Sequence, residues 1–298
     1  MRVTAKLVRQ FALMSTVIAA MISATSVGSF AASPEIEKAE QLFKRGDYEA
    51  SLSVLDKLNS TDGEAWYLKG KNHYQQGDFK KASDALEQAV KADPGNSMYR
   101  LWLGKAYGRR AETANFISAA GLAGKTRDNF EKAVELDPAN LEAHSDAMEY
   151  YLEAPGFMGG GMDKAKATAA KIAALNPAEG EYALARIAEK EKDKAAVEKH
   201  LRRAIELAPK QVGRHLDLAK FLSKQGRYEE SDKLFAQAQA LAPKSPKVLY
   251  AKAEALIRAG RDQEVARELL NRYLLAQITP DDPSKAEARN LLKKLDKS

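Results

Sequence analysis

No cysteine occurs anywhere in the 298 residues. Its absence excludes a disulfide framework and a lipid-anchored lipoprotein, and it removes thiolates from any metal site. Stability has to come from packing, which a chain of this length can supply. A large charge excess is missing too. The formal net charge is +6, but Arg2, Lys6 and Arg9 contribute three of those charges at one end. The remainder is nearly balanced, which argues against a nucleic-acid protein. There are four histidines, His73, His144, His200 and His215, with no HExxH and no pair at metal-ligand spacing. His144-Ser145-Asp146 is not a catalytic constellation, because neighbours on a helix point about 100° apart. Gly159-Gly160-Gly161 lacks the Lys-Ser/Thr of a phosphate loop and is followed by Met162-Asp163. It reads as a helix connection in which Asp163 caps the next helix. Acidic pairs such as Glu229-Glu230 read as solvated helix faces beside lysine or arginine. Nothing here points to an enzyme, a metal or a cofactor.

What is present is a recurring phrase ending in proline: Ala92-Asp93-Pro94, Leu136-Asp137-Pro138, Leu175-Asn176-Pro177, Leu207-Ala208-Pro209 and Leu241-Ala242-Pro243. The last two prolines are 34 residues apart. A period in this range marks stacked supersecondary units, none able to bury its apolar face alone. Within the second unit Trp66, Leu68 and Gly70 precede Gly77-Asp78-Phe79, then Ala82, Leu86, Ala89 and Pro94. Ala82, Leu86 and Ala89 lie at i, i+4, i+7, one stripe of a helix. Gly77 ends the first helix and Pro94 the second. Gly70 and Ala82 are small so that two antiparallel helices can approach closely.

These residues resemble the tetratricopeptide repeat (TPR), Trp-x2-Leu-Gly-x2-Tyr, then Ala-x3-Phe, then Pro. Leu103-Gly104 and Tyr107 supply the first half in a third unit. Gly226-Arg227-Tyr228, Ser231, Phe235, Ala238 and Pro243 supply the second half in a sixth. Gly46-Asp47-Tyr48 with Leu55 marks a first unit, and Gly260 with Leu269-Leu270 a seventh. The resemblance implies an all-α, right-handed solenoid of about seven helix-turn-helix repeats over 34–298, acting as a protein-binding scaffold. The period breaks at about 108–125 and 153–162, and is about two residues short near Glu179-Gly180. Such insertions map to loops on one face of a solenoid, often the binding face. The apolar side chains of Pro155, Phe157, Met158 and Met162 are costly to display in water. They are expected either to fold back on the solenoid or to meet a partner. The stretch from Tyr150 to Ala165 also resembles a subgroup of exported bacterial TPR proteins.

Residues 1–31 read as a secretory signal peptide. A basic start leads into Phe11–Ile22, then into Ser29-Phe30-Ala31 with cleavage near Ala31. The apolar run is short of the roughly 20 residues a membrane span needs. No stable membrane insertion is expected after cleavage, and the implied address is the periplasm of a Gram-negative bacterium. At the other end, Pro280-Asp281-Asp282-Pro283 reads as the start of a capping helix over about 283–297, with Asp282 as cap and Pro283 in the first turn.

In TPR proteins the first helix of each repeat lines a concave groove. Carrying the register over places Tyr67, Lys71 and Tyr74 there, with Leu101, Lys105 and Arg109 in the next unit. Tyr182, Arg186 and Lys190 follow in the fifth, Lys220 and Lys224 in the sixth, Tyr250 and Arg258 in the seventh. Glu149 and Glu153 interrupt the basic positions in the fourth. Tyrosines offer amphipathic contact and the bases suit carboxylates, so the expected partner is an acidic or C-terminal segment of an exported protein. Phe157, Met158 and Met162 form a second candidate contact. The alternatives are a periplasmic glycan-binding module and an enzyme assembled from the two insertions.

Overall fold

The computed structural model describes residues 33–58 and 62–296, and every regular element among them is helical. The expected leader, 1–31, lies outside the described residues. Seven antiparallel pairs follow one another: α1 (Pro34–Lys44) with α2 (Tyr48–Leu55), α3 (Gly63–Gln75) with α4 (Phe79–Ala92), and α5 (Ser97–Thr113) with α6 (Phe116–Leu136). Then come α7 (Leu141–Glu153) with α8 (Met162–Leu175), α9 (Pro177–Glu191) with α10 (Lys194–Leu207), α11 (Val212–Lys224) with α12 (Tyr228–Leu241), and α13 (Pro246–Ala259) with α14 (Gln263–Leu275). A last helix, α15 (Lys285–Leu295), closes the series. Among the described residues no helix is long and apolar enough to cross a membrane.

The turns explain why the same unit recurs. Gly46, Gly77 and Gly226 take left-handed φ of 75°, 82° and 77° between the helices of a pair, a region where a Cβ is penalised. The aspartate after the first two of these then accepts a backbone N–H one turn on. Asp47 accepts from Ala50 at 3.2 Å and Asp78 from Lys81 at 3.1 Å, satisfying orphan donors of the second helix. Asn96, Asn140 and Asn176 cap first helices in the same way.

Within a pair, glycine lets the helices close up. A Cβ at Gly70 would lie 2.4 Å from Leu86 Cγ, and one at Gly104 would lie 2.6 Å from the Phe130 ring. Between pairs, the core is shared. Leu101, Phe130, Ala133, Ala143 and Ala147 form one buried cluster drawn from α5, α6 and α7, so each unit completes its neighbour's core. His144 and His215 occupy the position of Trp66 and are buried, each with a ring nitrogen against a carbonyl of its own segment: Pro138 at 3.0 Å and Gln211 at 3.3 Å.

Four local expectations need correction. The first insertion is helix, not loop. It lengthens α5 and α6 and leaves only Ala114-Asn115 between them; the start of α6 has Ala119, Ala120, Leu122 and Ala123 as good helix formers and an Asn115 cap to Ser118. Asp163 does not cap α8. Gly161 holds the cap position and Asp163 sits in the first turn, where its charge favours the helix dipole. Asp282 does not cap α15 either. Ser284 does, in a capping box with Glu287, which leaves Pro283 outside the helix. Finally, Leu101 is fully buried in the core cluster, not in the groove. The shortened turn near Gly180 has a simple form: Asn176 ends α8 and caps α9 at once. The following helix is then so close that a Cβ on Gly180 would lie 2.4 Å from Ala173 Cα.

Candidate protein-binding groove

First helices of successive units lie side by side, and the surface they form divides into two chemically different halves. In the N-terminal half it is filled by its own side chains. Tyr67 packs on Tyr99 with ring centroids 4.9 Å apart, and Tyr74 meets Trp102 edge-on at 5.4 Å and Phe79 at 5.3 Å. Lys71 places its ammonium 4.6 Å from the Phe43 centroid, 5.1 Å from Tyr67 and 5.0 Å from Trp102, an arrangement of cation–π contacts. Burial pulls its pKa below the ordinary lysine value. Lys105 lies 5.2 Å from the Trp102 centroid and pairs with Glu142 at 2.5 Å and Asp146 at 3.2 Å. Burial pulls Lys105 downward, but the two acids outweigh it and hold the ammonium above its usual range. Asp146 is displaced upward by its own burial, against the pull of Lys105. Arg109 stacks on Phe79 and pairs with Glu112.

In the C-terminal half the surface opens into three clefts that share walls. The largest, of about 630 Å³, has α9, α11 and α13 as its sides, with Val197 and Leu201 of α10 and Tyr228 of α12 beneath. A second of about 420 Å³ adjoins it through Tyr182 and Arg186 and reaches Asp146 and Glu149 on α7. A third of about 440 Å³ adjoins it through Glu254 and Arg258 and reaches α15. Linked by these shared lining residues, the three clefts make a trough of successive hollows from α7 to α15, each within the volume range of binding sites.

The trough is lined with both signs of charge, already paired, some across units and some within one helix. Arg186 holds Glu149 with both fork nitrogens, at 2.8 and 3.1 Å, and also bonds Glu189. These bonds hold its guanidinium above the ordinary arginine value. Lys190 bonds Glu153 at 2.9 Å, Lys224 lies 3.4 Å from Glu189, and Arg258 bonds Glu254 at 2.7 Å. Arg214 stacks on the Tyr182 ring at 3.9 Å and approaches Asp217 at 3.3 Å. Burial pushes the Tyr182 phenol up to about 12.

Three tetratricopeptide-repeat models match this chain, over residues 63–96, 182–211 and 216–283, which span α3–α4 and the helix pairs from α9 to α14. The chain is a tetratricopeptide repeat protein. Solved structures agree on the fold. A thermophilic TPR protein from Thermus thermophilus is 22% identical, with a TM-score of 0.53 over 63% of this chain and 97% of that one. A TPR protein from Parabacteroides merdae is 13% identical, with a TM-score of 0.57 over 88% and 97%. Human IFIT1, solved as a dimer with PPP-AAAA, is 18% identical, with a TM-score of 0.53 over 81% and 54%. A search of curated proteins finds no match. At these identities the likeness speaks for the TPR fold, which supports a protein–protein interaction scaffold.

Within the TPR frame, the residues named from the sequence fall into three groups. Tyr182, Arg186, Lys220, Lys224, Tyr250 and Arg258 line the trough together. Tyr67, Lys71, Tyr74, Lys105 and Arg109 lie in the filled N-terminal half, and Lys190 is not among the cleft-lining residues but pairs with Glu153. Phe157 and Met158 stand apart from the trough on a single 3-10 turn, Gly156–Met158. Phe157 is 75% exposed, whereas Met162 packs partly against the Met148–Ile172 core. The insertion therefore divides: one apolar residue displayed, one folded back. Tyr150 OH fixes the turn by donating to Met158 O at 2.6 Å.

Sequence reasoning missed Trp102, Asp146, Asp217 and Glu254. Trp102, Lys105 and Arg109 are spaced i, i+3, i+7, and Asp217, Lys220 and Lys224 likewise, so helical periodicity carried the signal. A fixed 34-residue offset from Tyr67 pointed to Leu101 instead.

Asp217 gives a pH prediction. Burial pushes its carboxyl above the ordinary range, with Arg214, Lys220 and Lys247 pulling the other way. A raised acid favours the folded state below the unfolded pKa of about 4, and that contribution is lost as pH rises through the folded value. Asp217→Asn removes the titration. The melting temperature of Asp217→Asn relative to the parent should therefore improve from pH 4 to pH 7. A constant difference across that range would show that Asp217 ionises without penalty.

Proposed function

We propose that this TPR protein is an exported, non-enzymatic scaffold that captures an extended segment of a partner protein in the trough between α7 and α15. The observation that carries the reading is the run of three wall-sharing clefts, since an elongated trough suits an extended chain better than a compact ligand. Lys220 and Lys224 are the most loosely held cations of its largest cleft, 3.7 Å from Asp217 and 3.4 Å from Glu189. They support a preference for a segment bearing a carboxylate, which displaces these weak pairs at small cost. Arg186 and Lys190, being tied to Glu149 and Glu153, serve in this reading to hold units four and five together. The N-terminal leader pattern supports a periplasmic setting.

A photo-crosslinking residue at Ser223, which lines the trough, tests the reading. Partners should be trapped from Ser223 and not from exposed Lys199 on α10. Trapping should fall when Lys220 and Lys224 are both alanine. Equal trapping from both positions would sink the trough as the capture site.

A further inference from the structure

The two ends of the solenoid meet. The segment 276–284, between α14 and α15, touches the first three helices. Gln75 Nε2 at the end of α3 donates to Pro280 O at 3.0 Å, across 205 positions of sequence. The α1–α2 turn approaches so closely that a Cβ on Gly46 would lie 3.2 Å from Ile278 O and 3.7 Å from its Cγ1. On the other side the segment is a tight, preformed turn. Asp282 Oδ2 accepts from Thr279 N at 2.8 Å and Thr279 Oγ1 at 2.9 Å, while Asp282 N donates to Thr279 O at 3.1 Å. Tyr273 OH donates to Pro283 O, and the Ile278 side chain is buried with Leu270, Tyr273 and Ala288. The acids of this turn face the N-terminal units electrostatically. After burial, Asp282 and Asp281 are the causes that hold the Tyr48 phenol above its ordinary value, and Asp281 draws on the Lys71 ammonium.

We infer that the Thr279–Pro283 turn is a displaceable latch, and that the surface under it, formed by Gly46, Tyr48 and Gln75 with Lys71 one helical turn back on α3, recognises an acidic proline-containing turn. This chain's own turn is the resident occupant. A segment of the same chemistry from elsewhere takes its place when the solenoid opens. The chemistry is legible on both sides: a side-chain amide donates to the Pro280 carbonyl, and Lys71, one helical turn before Gln75 on α3, carries the charge opposite to the aspartates. Displacement is feasible because, among the described residues, one direct hydrogen bond crosses the contact through a side chain, and a bond of that kind biases a two-state equilibrium by only a few-fold to about tenfold. The turn itself survives opening, since Asp282 and Tyr273 hold it from the C-terminal side. This inference concerns the N-terminal units and stands independently of the trough.

The lack of native cysteine makes the test direct. Spin labels at Glu37→Cys on α1 and Arg289→Cys on α15, both exposed, report the distance across the closure by double electron–electron resonance in the full chain. Two further variants break the contact from opposite sides: Gln75→Ala alters the recognising surface, and Asp282→Ala loosens the turn. Circular dichroism confirms that both retain parental helicity. A fluorescent peptide of residues 276–284 is then titrated into each. The expected result is a longer-distance population in both variants, severalfold larger than in the parent, with peptide binding strong to Asp282→Ala and lost when Gln75→Ala is added. Distance distributions that superimpose on the parent in both variants overturn the latch. Absence of peptide binding to Asp282→Ala, or binding indifferent to Gln75, overturns the recognition surface and with it the inference.

Discussion

Gly180→Ala lowers the melting temperature by about 2–12 °C, the range expected for about 1–3 kcal/mol of overpacking in a domain of this size. In an ordinary helix the same change is stabilising by about 0.5–1 kcal/mol, because alanine has the better helix propensity. Here the sign reverses. The added Cβ would meet Ala173 Cα and Cβ at 2.4 Å and Ala173 N at 3.1 Å. These are backbone atoms and a methyl, with no flexible side chain to move aside, so α8 itself must retreat from α9. That retreat opens the Met148–Ile187 cluster, which both helices share. Gly124→Ala on α6 supplies the comparison, since its Cβ would meet nothing within 4 Å. Thermal melts of the two variants should move in opposite directions. If both rise, the one-residue Asn176 connection is looser than the packing implies, and close approach at Gly180 is not what shortens the repeat.

Phe130→Ala should cost more, about 3–5 kcal/mol, as expected for an aromatic ring removed from a packed core. Phe130 fills the space that Gly104 leaves open, and it joins Leu101, Ala133, Ala143 and Ala147 across three helices. Its loss weakens both the α5–α6 pair and the junction with α7. The dependence on Gly104 adds a sharper measurement. Gly104→Ala alone should be destabilising, because its Cβ would lie 2.6–2.7 Å from the Phe130 ring. In the double variant that clash is gone and the methyl fills part of the cavity. The double variant should then be more stable than the sum of the single costs by about 0.5–3 kcal/mol. Strict additivity in urea melts would show that the two residues do not share one packing site.

The fold was legible because its determinants are local. Gly77-Asp78 and Gly46-Asp47 write a turn and a cap in two letters, and the proline phrase marks the end of five of the seven units. Gly70 and Gly104 mark close approach without any knowledge of the partner helix. The corrections concern places where two local options compete. Asp282 and Ser284 are both good caps, and the choice fell to Ser284 because Glu287 completes a capping box while Asp282 is engaged with Thr279. The 108–125 insertion interrupts helix only at Ala114-Asn115, and so it extended two of them.

The groove was legible in part, and the limit is again physical. Helical spacing says which residues share a face, but a lysine reads the same whether it is solvated, stacked on rings or tied to a neighbour's acid. Lys71 is held among three aromatic rings, Lys105 between two acids, and Arg186 in a bidentate bond with Glu149. Apart from the contact of Lys71 with Tyr67 on its own helix, these pairings join residues from different repeats, a full period or so apart.

By itself, then, the sequence determined the unit: two helices, their caps, the glycine that lets them touch and the proline that ends them. All of these act within about one turn of helix, where interactions are set by chain geometry. Only the tertiary structure decided which groove charges are spent on neighbours, where the trough runs, and that Gln75 meets Pro280. Those outcomes depend on the small rotation from each unit to the next, accumulated over seven pairs. That rotation is set by the summed packing of many small residues, and no single short phrase of sequence contains it.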